Sequence, residues 1–178
     1  ITQMLQHKAL VQQYEDLITH PDIPLRVIHH DTKISNCLFD KAGNGLCVID
    51  LDTVMPGYFI SDVGDMCRTY LCPTGEESTS LHDVTIRMDY YHAMATGYLQ
   101  EMKPVLSTAE MDYFVYAGKF MIYMQALRFL SDFLNGNTYY PVKYALHNLN
   151  RTRHQIALLQ AYCHSEPAMQ QVVAALIN

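Results

Sequence analysis

In the stretch from His29 to Asp52, Asp31 precedes Lys33 by two positions and Asn36 by five, and Asn36 opens a short apolar run, Cys37 to Phe39. A Gly43-Asn44-Gly45 turn leads into a second run, Leu46 to Ile49, which stops at Asp50. Two apolar runs about a tight Gly/Asn turn predict a β-hairpin, and its open end brings Asn36 and Asp50 together. An amide and a carboxylate there, with the loop carboxylate Asp31 nearby, form an oxygen-rich set suited to Mg2+, which takes only one or two ligands from protein. Phosphoryl transfer needs that cation. In such chemistry Asp31 would orient or deprotonate an acceptor hydroxyl, and Lys33 would meet the γ-phosphate with a strongly hydrated ammonium.

Each residue has a plainer reading beside this one. Asp31 would then cap its own loop amides, Lys33 would be a solvated cation, Asn36 a strand-edge amide and Asp50 the partner of a buried arginine. The joint spacing of all four favours the chemical reading. Three roles stand open for Asp52: a second ion, a substrate contact, or support of the following loop. His29 reads as a packed, hydrogen-bonded loop anchor and His30 as exposed.

The flanking elements must hold this loop in place. Apolar residues at helical spacing predict a helix over residues 2–18, ended by Pro21 and Pro24, and Leu25 to Ile28 is a short apolar run that delivers His29. Residues 53–60 contain Pro56 and Gly57 and read as irregular. Ser61-Asp62 is an N-cap signal for a helix to Leu71, in which Asp62, Asp65 and Arg68 would support the loop. Ser80 would cap a long helix over 81–102, and Ser107-Thr108-Ala109-Glu110 resembles a capping box for a helix to Leu134. That last helix is apolar nearly all round and belongs at the centre of a bundle. Pro141 would open a further helix to His164, and Pro167 a short final one.

Length and composition bound the rest. A chain of 178 residues, 49% of them hydrophobic, is expected to form one domain, 1–178, with its own core. A net charge of −6 and the lack of a Lys/Arg cluster on one helix face argue against nucleic acid as a partner. The five cysteines form no C-x-x-C pair, and the nine histidines show no zinc spacing. A reducing, cytoplasmic setting is the expectation. No apolar run is long enough to span a bilayer, so no membrane partner is expected either.

The motif His29-x-Asp31-x-Lys33-x-x-Asn36, followed by a strand ending in Asp50, resembles the catalytic loop and metal-binding Asp of the protein-kinase-like fold. Phe-Gly does not follow Asp50, and no Ala-Pro-Glu comes later. These departures point to the aminoglycoside phosphotransferase and choline kinase superfamily. A longer stretch, Asp50-Leu51-Asp52-Thr53-Val54-Met55-Pro56-Gly57 with Asp62-Val63-Gly64-Asp65 and Arg68, is similar to the N-acetylhexosamine 1-kinase group within it. The resemblance implies an α+β, mainly α fold, a kinase-like C-terminal lobe in which a helical bundle carries a small catalytic hairpin. It implies ATP and Mg2+ as nucleotide and metal, and a sugar as small-molecule substrate. It also implies a separate N-terminal lobe, because no Gly-rich loop or strand lysine is found in this chain.

Arg128 lies in the most apolar helix and therefore needs a partner or a ligand. Asp132, four residues on, would serve as partner; the resemblance favours Arg128 and one tyrosine, Tyr139, as sugar contacts. Composition argues weakly in the same direction. Trp is absent, which disfavours a choline cage, and the central helix has too few carboxylates for an aminoglycoside.

Overall fold

The computed structural model describes residues 1–178. Seven helices and four short strands follow in the order α1 (Thr2–Gln6), α2 (Ala9–Ile18), β1 (Arg26–Ile28), β2 (Cys37–Phe39), β3 (Gly45–Val48), β4 (Met55–Gly57), α3 (Ile60–Tyr70), α4 (Met88–Met102), α5 (Thr108–Asp112), α6 (Phe114–Leu134) and α7 (His147–Ile177). The fold is α+β and mainly α, a bundle carrying a small hairpin, as the sequence predicts. No helix is long and apolar enough to cross a membrane.

The hairpin β2–β3 is antiparallel, with Cys37 opposite Val48 and Leu38 opposite Cys47, and a bulge at Leu38/Phe39. Gly43 takes φ +85° in the turn, a conformation open to glycine at little cost. Asp40 fixes the loop by accepting the N–H groups of Ala42 and Asn44. A second antiparallel pair lies where an irregular loop was expected: β1 pairs with β4, Val27 facing Pro56. Pro56 cannot donate to a ladder, but a two-stranded ribbon has free edges that tolerate it.

The core lies between α3, α6 and α7. Leu158, Leu159 and Tyr162 of α7 are buried together with Ala117 and Ile122 of α6 and Val63 and Cys67 of α3. Close helix approach is built in at two glycines. A Cβ on Gly64 would come within 2.4 Å of the Ala117 carbonyl oxygen, and one on Gly118 within 2.4 Å of the Tyr162 ring. Larger residues there would force the helices apart.

Several helix boundaries differ from the sequence reading. The first predicted helix is two, because residues 7–8 interrupt it. Ser80 caps no helix; its hydroxyl donates to Asp83 at 2.7 Å over a single 3-10 turn, and α4 starts only at Met88. Arg87 sets that start, since its N–H and guanidinium bond the carbonyls of Tyr70, Leu71 and Cys72 at the end of α3. The capping box at Ser107 and Glu110 is present, but the helix it opens ends at Asp112. Residues 141–146 are not helical, and α7 runs through Pro167 without ending. An internal proline costs a helix about 3 kcal/mol. Here its ring faces solvent, while Tyr162 and Met169 on either side are fully buried, and that burial outweighs the missing bond.

Candidate active site

The loop between β1 and β2 is shaped from α3. Asp62 does not cap its own helix, which begins two residues earlier at Ile60; its carboxylate instead accepts the N–H of His29 at 2.9 Å and of His30 at 2.7 Å. Thr32 donates its hydroxyl to the Asp62 carbonyl, and Tyr70 donates to the Thr32 carbonyl. His29 joins loop to hairpin, because its Nε2 donates to the Ile49 carbonyl at 3.0 Å and its Nδ1 accepts the Asp31 N–H at 3.3 Å. His30 is not exposed as expected. It is half-buried in the left-handed region, φ 67°, with Nδ1 bonded to Ser61 and Nε2 buried without a partner.

This scaffold brings four of the sequence-chosen residues together. Lys33 Nζ lies 2.6 Å from Asp31 Oδ2 and 3.8 Å from Asp50 Oδ2. Asn36 is buried and donates through Nδ2 to the Asp31 carbonyl at 2.8 Å and to Asp31 Oδ2 at 3.0 Å, which turns its Oδ1 to other uses. The Ile49 N–H donates to the Asn36 carbonyl at 2.9 Å, so Asp50 leaves the hairpin beside Asn36. Asp50 itself takes φ 63°, a left-handed conformation that costs a non-glycine residue energy and is found where structure around it enforces it. The hydrogen bond to Asp31 raises the Lys33 ammonium above its ordinary value, and both carboxylates add to that, so Lys33 stays charged. Asp52 is exposed in the 3-10 turn after Asp50 and pairs with no cation.

Oxygen donors dominate the set. The Asn36 Oδ1, on a buried side chain, and the exposed Asp50 carboxylate are hard oxygen donors of the kind Mg2+ accepts, and both stand at the open end of the hairpin. The residues present fit a magnesium ion.

Behind Lys33, α3 carries an ion-pair chain. Arg68 bonds Asp65 Oδ1 through Nε and Nη2 at 3.1 and 2.8 Å, and Glu76 through Nη1 at 2.9 Å. Burial pushes the Asp65 carboxyl up despite Arg68. A pocket of about 220 Å³ opens there, walled by Lys33, Arg68 and Glu76 and by His154 and Gln155 of α7. Nothing in the local sequence marked these α7 residues as part of a site. The one available signal was a run of polar side chains, Asn150 to Gln155, on a helix that must pack.

Arg128 and Tyr139 lie elsewhere. They line an open cleft of about 560 Å³ with Met124, Leu127 and Tyr140, and none of the Asp31 group reaches it. Arg128 is exposed, sits 5.9 and 5.5 Å from the Tyr139 and Tyr140 ring centroids, and accepts no partnership with Asp132. Asp132 is instead buried under the turn, where it takes the N–H groups of Thr138, Tyr139 and Tyr140 at 2.8 to 3.0 Å and Asn148 Nδ2 at 2.8 Å. Although burial acts to raise it, those amides hold the Asp132 carboxyl below its ordinary value. The expected i,i+4 pair is absent because Asp132 is spent on ordering the tyrosine loop.

A family model described as the phosphotransferase enzyme family matches residues 3–102, more than half of the chain, and so covers Asp31 to Asp65 but not Arg128 or Tyr139.

Proposed function

Because this chain belongs to the phosphotransferase enzyme family, we propose that it carries the catalytic loop and acceptor site of an ATP-dependent small-molecule kinase, most specifically one acting on the anomeric hydroxyl of an N-acetylhexosamine. The observation that carries the reading is the convergence of Asp31, Lys33, Asn36 and Asp50 at one end of the hairpin. A binding module without catalysis would have no need for this set.

In the transfer, an acceptor oxygen forms a bond to the γ-phosphorus while the bond from that phosphorus to the β–γ bridging oxygen breaks, and ADP leaves. Asp31 accepts the hydrogen bond of the acceptor hydroxyl and receives its proton as the new bond forms. Lys33, held charged between two carboxylates, turns its ammonium to the transferring phosphoryl oxygens. Asn36 and Asp50 would hold the magnesium ion, whose charge offsets that of the phosphates. Positioning does most of the work, so the rigidity given by Asp62 and His29 belongs to the mechanism.

A second, nucleotide-clamping lobe completes the cleft in this reading. What supports it is the apolar surface around the site: Val27 is 78% exposed, Leu46 64% and Leu51 60%, with Leu38, Phe39 and Val48 beside them. Apolar side chains left open to water around the site suit an interaction surface. The Arg128–Tyr139 cleft offers a planar cation and aromatic rings, which suit a sugar ring with its hydroxyls.

Product analysis tests this directly. The two-lobed protein, given ATP, Mg2+ and N-acetylglucosamine, is expected to yield ADP and a sugar phosphate seen by 31P NMR. Release of inorganic phosphate alone, or no turnover with any hydroxyl acceptor, would overturn the kinase reading.

A further inference from the structure

No hydrophobic residue lines the pocket beside Lys33. Its charges are matched internally: Arg68 lies between Asp65 and Glu76, and Lys33 between Asp31 and Asp50. Its neutral groups are nearly all engaged too. Thr69 donates to the Asp65 carbonyl, and Thr74 meets His154 Nε2 at 3.1 Å. His154 Nδ1 lies 3.5 Å from Gln155 Nε2, and burial holds this imidazole below its ordinary value, so it is neutral. Among the lining side chains one atom is left over, while behind the wall Asp65 Oδ2 is also buried without a partner. Gln155 is 1% exposed, and its Oε1 is buried with no hydrogen-bond partner.

A buried amide oxygen without a donor is costly. Gln155 is part of the pocket wall, so a ligand in the pocket that satisfied this oxygen would carry a donor and bear no charge, since the lining presents no unmatched ion. The pocket shares Lys33 with the Asp31 group, so a ligand filling it sits next to the hydroxyl that Asp31 would orient.

We propose that this pocket receives a second hydroxyl of the neutral acceptor, that Gln155 Oε1 accepts its hydrogen bond, and that Gln155 is thereby a specificity-determining residue. The inference rests on the kinase reading for the word acceptor, but not for the pocket's need of a hydroxyl. A site built around a buried hydrogen-bonding group discriminates strongly against ligands that cannot pair with it, which gives Gln155 more influence over substrate choice than the exposed Arg128 cleft would have.

Two measurements with N-acetylglucosamine as the probe test it. In the two-lobed protein, Gln155→Met removes the acceptor oxygen at similar volume and is expected to raise KM for the sugar at least tenfold, with KM for ATP within twofold and the thermal midpoint kept. Gln155→Glu retains an acceptor oxygen and is expected to stay within a few-fold of wild type. An unchanged sugar KM in Gln155→Met, or a parallel rise in the ATP KM, overturns the inference. In the 178-residue chain labelled with 15N, the Gln155 side-chain amide signal, assigned by its loss in Gln155→Met, is expected to shift saturably with N-acetylglucosamine and not with choline chloride. A signal indifferent to the sugar also overturns it, and this arm needs no turnover. Absence of transfer by the wild-type two-lobed protein counts against the kinase reading alone.

Discussion

Asn36 donates one side-chain amide to both the carbonyl and the carboxylate of Asp31, at 2.8 and 3.0 Å. The residue placed to hold the cation therefore also holds the residue placed to orient the acceptor. Asn36→Ala should weaken Mg2+ use and lower kcat at saturating Mg2+, whereas excess Mg2+ should restore part of the loss in Asp50→Asn, because that change removes charge and leaves Asp31 supported. Titrating Mg2+ against activity distinguishes the two. Wild-type metal dependence in both variants would place the metal elsewhere.

Arg128→Ala should raise KM for the sugar and leave KM for ATP unchanged. Its exposure and the lack of a pair with Asp132 mean that the fold does not depend on it. Stability should change by no more than about 0.5 kcal/mol, as for other surface substitutions. A large fall in melting temperature without a substrate effect would contradict this placement.

His154 links stability to pH. Burial lowers its folded-state value below 6.5, so in the range just under 6.5 the unfolded chain binds a proton that the folded chain refuses. The unfolded state then holds more protons, and stability falls as the pH drops through that range. Comparing urea unfolding at pH 7.5 and 5.5, His154→Gln should lose less stability on acidification than wild type, by at most about 1.4 kcal/mol per pH unit. Equal losses would show that His154 titrates normally.

The hairpin and its four polar residues were legible because turn chemistry, short-range spacing and residue type all act locally there. Longer-range features were not. The β1–β4 pair depends on two three-residue segments meeting across the loop, which neither segment signals alone. Pro167 carries a strong breaker signal, and tertiary burial of α7 overrides it. Asp132 shows why i,i+4 spacing is weak evidence: three backbone amides offer a carboxylate more than one exposed guanidinium does. Gln155 could not be found from sequence, because an orphaned acceptor is a property of packing.

Alone, the 178-residue chain should fold but bind ATP weakly and transfer little phosphate. Its core is formed without the hairpin surface, while Val27, Leu46 and Leu51 stand open to water. Calorimetry with Mg-ATP on this chain should give no micromolar binding. Micromolar affinity with turnover would mean that no second lobe is needed.

Asp31 is the residue on which the catalytic assignment turns. In a protein that carries the proposed second lobe, Asp31→Asn keeps the shape of the side chain and a hydrogen-bonding group near Lys33 and Asn36, but removes the proton acceptor. Steady-state kinetics should show kcat lowered by about 10²–10⁴-fold, the range for loss of a positioned general base, with KM for ATP nearly unchanged. A kcat within a few-fold of wild type would contradict the role given to Asp31.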